Sequence, residues 1–267
     1  MGRRQPTAEV EDIATYQARY EIDHFDHPTS IGVISRRVFR RQGSGPAVIL
    51  IHEAPGISVS TFRIAELLAN KHFTVVLPEV LDVPPPRANA RTMLRICVAR
   101  ELGALAHGST SAIAEWLRAL ADRGWAATGE RPVGVVGMCF SGGFALATVL
   151  NGHVGAAVMS QPALPFFWLR DLGVNPDELG RIQDRVRDGA CLRALRFALD
   201  WKSPAPRFHH LQKAFPTMEH AQVWSLNPND HSVLARGLDA ADGSKLKAAL
   251  TDTITFLERS LLPATGG

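Results

Sequence analysis

The sequence predicts an α/β protein built on a doubly wound, mostly parallel sheet, and three observations carry that prediction. Near-continuous β-branched runs, "PAVILIHE" (46–53), "FTVVLPEVL" (73–81) and "RPVGVVGM" (131–138), have the composition of strands buried on both faces. Stretches of helical periodicity separate them, so strands and helices alternate along the chain. No internal repeat, low-complexity tract or Gly/Ser-rich linker divides the alternation. The chain has 267 residues, 46% of them hydrophobic and 21% charged. An α/β unit of that size buries a large core without disulfide or metal staples.

Taken in order, about 25 residues at the N-terminus read as an amphipathic helical lead-in with frayed ends. Residues 1–30 are therefore set apart as an extension, and 31–267 as a single domain. "IGVISRRVF" (31–39) alternates as a strand, and "GSG" (43–45) turns the chain into the buried run 46–53. "SVSTFRIAELLANKH" (58–72) is a helix opening at a Ser-rich cap. The strand 73–81 follows. "DVPPPRANAR" (82–91) cannot be regular, because proline removes donors and fixes φ, and it reads as a loop over the sheet edge.

"STSAIAEWLRALADRG" (109–124) is a capped helix, 131–138 a strand, "SGGFALATVLNG" (141–152) a helix, and "HVGAAVMSQP" (153–162) a strand broken by Pro162. Residues 165–190 hold a loop and a helix capped at Asn175. "CLRALRFALD" (191–200) is a strand, "SPAPRFHHLQKAF" (203–215) a helix, "HAQVWSL" (220–226) a strand and 243–262 the closing helix.

Several function classes are excluded by composition. The net charge is only +3, and the densest basic cluster, "SRRVFRRQG" (35–43), reads as a solvated hairpin rather than a nucleic-acid patch. Cys97, Cys139 and Cys191 are odd in number and widely spaced, which argues against a disulfide framework. The N-terminus carries acids where a signal peptide needs an apolar core, and no apolar run approaches the ~18–20 residues of a membrane span. The expectation is a cytoplasmic protein, a monomer or small homo-oligomer without membrane or nucleic-acid partners, in which a catalytic thiol stays reduced. Neither a Gly-rich phosphate loop nor a metal-ligand cluster is visible. His52-Glu53 lacks the second His that a zinc motif needs, so no cofactor or metal is expected.

Ligands of such sheets bind at the carboxyl ends of the strands. At one of those ends stands "GVVGMCFSGGFAL" (134–146), a strand that bends at Cys139 straight into a helix. Small residues two positions to either side, Gly137 and Ser141, are what a nucleophile elbow requires, because its strained backbone brings those neighbours together. The bend exposes Cys139, and the dipole of the following helix favours a thiolate. A buried structural cysteine is the alternative, and Cys97, within a helical stretch, and Cys191, at a strand start, keep it. Ser141 is a weaker rival: Cys139 is too large for the position two residues before it, and it would lie inside the helix.

A thiol nucleophile needs a base, and the base an orienting acid. Four of the ten histidines follow Asp200: His209 and His210 within a helix, His220 at the start of a strand, and His231 in a loop after one. His231 alone lies at a carboxyl edge and is the candidate base, against the alternative of an exposed loop histidine. Among Asp171, Asp177, Asp184, Asp188, Asp200 and Asp230, only Asp200 directly follows an apolar strand. It is the candidate acid, with a helix-capping role as the alternative. Asp230 is too close in sequence to fold back onto the ring. The N–H groups of Phe140, after the nucleophile, and of Ala54, after the strand 46–53, are the candidate oxyanion donors.

"HEAPG" (52–56), the elbow, the strand-end Asp of "LDWKSPAPRF" (199–208) and "HSVL" (231–234) occur in the order seen in the dienelactone hydrolase family. The chain resembles that family over about Ile31 to Leu262. The resemblance implies an α/β-hydrolase fold with a Cys-Asp-His triad. It also implies that Glu53 contacts the resting thiol and helps ionise it when substrate binds. Arginines hold the substrate carboxylate in that family. Arg236 is the candidate after the histidine, and Arg91, Arg95 and Arg100, with Arg95 foremost, before the elbow helix. The expected function is hydrolysis of a small ester or lactone through a thioester. An acyl transferase or a non-catalytic small-molecule binder on the same fold is the alternative.

Overall fold

A computed structural model describes residues 12–81, 111–163, 170–227 and 229–262. The expected loop 82–91, together with Arg91, Arg95, Cys97 and Arg100, lies outside them.

The chain folds around one eight-stranded sheet, with strands β1 (Glu21–Thr29), β2 (Gly32–Arg41), β3 (Ala47–Ile51), β4 (Thr74–Pro78), β5 (Val133–Met138), β6 (Val154–Ser160), β7 (Cys191–Phe197) and β8 (Glu219–Val223). Their spatial order is β1-β2-β4-β3-β5-β6-β7-β8. From β4 to β8 every pairing is parallel, and only β1 and β2 run antiparallel to their neighbours. The sheet is thus mostly parallel and doubly wound, as the alternation of elements predicts.

The N-terminus departs from expectation. Among the described residues of this segment only Ile13–Gln17 is helical (α1), capped by the Asp12 carboxylate at the Thr15 N–H. Residues 21–29, assigned to the N-terminal extension and as far as about residue 25 to its helical lead-in, form the edge strand and pair with β2 over nine positions. The predicted boundary at residue 30 falls in the hairpin turn, so it marks no break in the sheet. The edge is held by β2 and by Trp116, whose indole N–H donates to Phe25 O at 3.0 Å.

Helices cover both faces. On one lie α3 (Ala112–Ala127), α4 (Gly142–Thr148), α5 (Pro176–Arg187) and α6 (Ala205–Ala214), around Ile49, Ile51, Val135, Trp116, Phe140 and Phe144. On the other lie α1, α2 (Val59–Ala69), α7 (Val233–Leu238) and α8 (Lys245–Leu261), around Phe39, Val48, Leu50, Phe62, Val136 and Leu257. Alternate residues of β3 and β5 feed opposite layers, which explains why these strands read as unbroken apolar runs. Each fully buried Leu, Ile or Phe contributes about 1.5–3 kcal/mol by leaving water.

Strand ends are shorter than the sequence suggests. β7 stops at Phe197 and β8 at Val223, which puts Asp200 and Trp224 on the connecting turns. The short helix α7, directly after His231, was not anticipated. Among the described residues, no helix is long and apolar enough to cross a membrane.

Candidate active site

At the carboxyl end of β5 the backbone of Cys139 adopts φ +60°, in the left-handed region that a non-glycine residue rarely enters. Residues 139–141 make one 3₁₀ turn that leads directly into α4. The flanking residue types follow from this bend. A Cβ on Gly137 would sit 2.2 Å from Ser141 O, and one on Gly142 would sit 2.8 Å from Pro162 Cβ. Gly137→Ala is therefore expected to destabilise the fold by about 3 kcal/mol through forced repacking. Activity should fall in parallel, measured by urea unfolding beside esterase assay.

Ser141 cannot serve as a second nucleophile in this conformation, because it is fully buried and its hydroxyl is spent on the backbone. Its Oγ accepts from the Met138 N–H at 2.7 Å and lies 2.8 Å from Met138 O and 3.2 Å from both Ile51 O and His52 O. It staples the elbow to the end of β3. The Cys139 carbonyl in turn accepts from the Ala163 N–H after β6, at 3.0 Å.

Asp200 and His231, 31 residues apart in sequence, meet at 2.7 Å between Oδ2 and Nδ1. Asp200 is 2% exposed, and its other oxygen accepts from the N–H groups of Lys202 (3.0 Å) and Ser203 (3.3 Å). One oxygen of the carboxylate thus holds the turn ahead of α6 and the other faces the imidazole; the helix-capping alternative is not met, because α6 begins at Ala205 behind Pro204 with no side-chain cap. Nε2 of His231 is buried with no hydrogen-bond partner among the described residues, and Cys139 lies near enough to act on the charge of the ring. Burial opposes the imidazolium. The bond from Asp200 and the interaction with Cys139 outweigh it, and the His231 pKa is raised to about 9.

Glu53, on the loop after β3, is not hydrogen-bonded to Cys139 among the described residues. Its Oε2 accepts from the Ser232 hydroxyl at 2.6 Å and from the Gln161 amide at 3.4 Å. Burial pushes its carboxyl above the ordinary value, against the pull of those two donors and of the nearby His231 and Lys202 charges. Ser232 stands at the N-cap of α7 but gives its hydroxyl to Glu53. The Gln161 side-chain oxygen takes the Val233 N–H instead, at 3.2 Å. Gln161 is fully buried at the end of β6, and sequence reasoning passed over it. The one available signal was a polar residue at the carboxyl end of an apolar strand, in "VMSQP".

Arg236, a substrate-binding candidate, extends from α7 to the Asp230 carboxylate, which also accepts from the Ser225 hydroxyl and from Asn227 Nδ2 at 3.1 Å. It stands on the helix that follows the His231 loop. Two buried arginines, also unanticipated, brace the floor. Arg196 donates to Ser203 O (2.9 Å) and Asp200 O (3.3 Å), and Arg207 to Asp171 O (2.8 Å) and Pro162 O (3.1 Å). Leu199, Trp201, Trp224 and Leu226 are exposed on the turns after β7 and β8, an apolar rim along the same sheet edge.

A mostly parallel eight-stranded sheet with an elbow after β5 and a carboxylate–imidazole pair after β7 and β8 places the chain among the α/β-hydrolases. The dienelactone hydrolase family profile matches residues 34–260, so the chain belongs to that family of ester hydrolases. Among solved structures, the inferred dienelactone hydrolase of Klebsiella pneumoniae subsp. pneumoniae is 16% identical with a TM-score of 0.62, covering 90% of this chain and 98% of that one. A dienelactone hydrolase-like promiscuous phosphotriesterase from metagenomic libraries is also 16% identical, at TM-score 0.61, covering 91% and 99%. An esterase of Pyrobaculum calidifontis is 13% identical, at TM-score 0.56, covering 92% and 88%. At these identities the likeness is one of fold. Comparison with curated proteins gives no match.

Proposed function

We propose that this chain hydrolyses small esters or lactones through a Cys139–Asp200–His231 triad and a thioester intermediate. The observation that carries the reading is the 2.7 Å bond between Asp200 and His231 Nδ1, beside a Cys139 near enough to raise the imidazole pKa. With its pKa raised to about 9, His231 carries at neutral pH a proton that it can deliver to the leaving group.

The Cys139 thiolate attacks the acyl carbon, and the N–H groups of Phe140 and Ala54 hold the oxyanion. As the carbon–oxygen bond breaks, the leaving alkoxide takes the proton from Nε2. The thioester no longer carries the sulfur's negative charge, so one cause of the raised imidazole pKa disappears. His231 then accepts a proton from water, whose oxygen attacks the thioester and releases the acid and the thiolate. Glu53, buried between Ser232 and Gln161, is placed to influence the charge state of the pair. Arg236 and Arg95 were expected to hold a substrate carboxylate. Engagement of Arg236 with Asp230, and the apolar rim at Trp201 and Trp224, support an apolar substrate part at the described side of the site. Small aryl esters are therefore the substrates of choice for testing.

Acid-quenched turnover of p-nitrophenyl acetate should yield protein carrying one acetyl group on Cys139, labile to hydroxylamine. Turnover with no adduct, or an adduct on another residue, counts against the reading. An adduct that discharges to added alcohols or thiols but not to water would instead make the protein an acyl transferase.

A further inference from the structure

The imidazole of His52 is fully buried at the end of β3, and no step above uses it. Both of its nitrogens are engaged. The Val80 N–H donates to Nε2 at 3.1 Å, which makes Nε2 an acceptor and places the ring proton on Nδ1. From there it is donated to the Glu53 carbonyl oxygen, 2.9 Å away. Burial keeps the ring neutral, with a pKa pushed down to about 4, so this pattern holds over the pH range in which a thiolate enzyme works.

The Glu53 carbonyl belongs to the same rigid trans peptide as the Ala54 N–H. The two groups point in opposite directions across that plane, so a bond that fixes one aims the other. The ring also packs against Phe140, with centroids 5.7 Å apart, and Phe140 carries the other oxyanion donor. The His52 carbonyl is itself tied to the elbow through Ser141, at 3.2 Å.

We propose that His52 is the positioning residue of the oxyanion hole: its Nδ1–H sets the plane of the Glu53–Ala54 peptide, and its ring keeps that donor in register with Phe140. The inference rests on the ester-hydrolase reading. It has a physical motive, since oxyanion donors act by being aimed before charge develops, and a loop peptide without a partner would turn.

Two variants separate the two bonds. In His52→Gln the longer side chain reaches the place of Nε2 and can accept from Val80, but nothing donates to Glu53. In His52→Asn the amide reaches the place of Nδ1 and can donate to Glu53, while Val80 loses its acceptor. His52→Gln is expected to lower kcat for p-nitrophenyl acetate by about 30- to 100-fold with KM within about twofold. His52→Asn should recover about tenfold or more of that loss.

Alkylation of Cys139 by iodoacetamide, a displacement that forms no oxyanion, should stay within about twofold of wild type in both variants. Equal kcat in the two variants, a loss in KM rather than kcat, or alkylation falling in step with kcat would each overturn the proposal. Because either variant can fold poorly, imidazole nitrogen shifts of the wild-type protein at neutral pH provide a second measurement. A neutral Nδ1–H ring supports the proposal, and an Nε2–H ring or an imidazolium overturns it. Wild-type protein without ester turnover overturns the hydrolase reading and this proposal with it. Wild-type turnover with variants indifferent to the substitution overturns this proposal alone.

Discussion

Cys139→Ala is expected to lower kcat for p-nitrophenyl acetate by a factor on the order of 10⁴ or more, with the fold intact. The thiol is the one proposed group that makes a covalent bond, so nothing at the site can take over its step. Ser141 is the nearest hydroxyl along the chain, but its oxygen serves the Met138 N–H and the carbonyls of Ile51 and His52. Moving it would release the elbow from β3. Alanine fits the space, because it removes only the sulfur from a residue that is 7% exposed. Its thermal midpoint should stay close to that of wild type. Residual hydrolysis at a tenth of the wild-type rate or more by a folded Ala variant would remove Cys139 from the nucleophile role.

Asp200→Asn should cost about 10³- to 10⁴-fold in kcat, by a different route. One oxygen of Asp200 accepts from two backbone N–H groups and the other meets His231 Nδ1. An asparagine that keeps its oxygen on the backbone donors turns its amide N–H groups toward the ring. Nδ1 must then accept, the ring proton moves to Nε2, and the imidazole can no longer take a proton from the thiol. The variant also loses the leading favourable contribution to the raised pKa of His231, so that pKa should fall from about 9 toward or below its ordinary value.

Stability supplies a second readout. In wild type the folded-state pKa lies above the unfolded value of 6.5, so the charged His231 contributes fully below pH ~6.5. That contribution is lost as pH rises through about 9. Urea unfolding at pH 6, 8 and 10 should show this decline in wild type and a flatter profile in Asp200→Asn. A variant with wild-type kcat, or with the same pH slope, would separate Asp200 from the working of the imidazole.

The parallel core was legible because β3, β4 and β5 are buried on both faces, and burial on both faces writes itself as unbroken apolar runs. The elbow was legible because strained backbone tolerates few residue types. Chain order and strand ends then led to Asp200 and His231, and the structure draws these together. β1 was not legible. "EIDHFDHPT" alternates nothing that a core would demand, and its extended form comes from nine backbone pairings with β2 and from Trp116 on a distant helix. The supports of the site were hidden for a related reason. Gln161, Ser232 and Arg207 act on carbonyls, amides and carboxyls far away in sequence, so no local pattern marks them.

By itself the sequence determined what depends on local sterics and on period: which segments are core strands, where the chain must bend, and which thiol stands at the bend. The tertiary structure alone decided which polar groups face one another. It gave Glu53 to Ser232 and Gln161, Arg236 to Asp230, and His52 to the peptide before Ala54. Apolar burial repeats along a chain and can be read from it. A hydrogen bond joins two particular atoms, and only the folded backbone brings those atoms within reach.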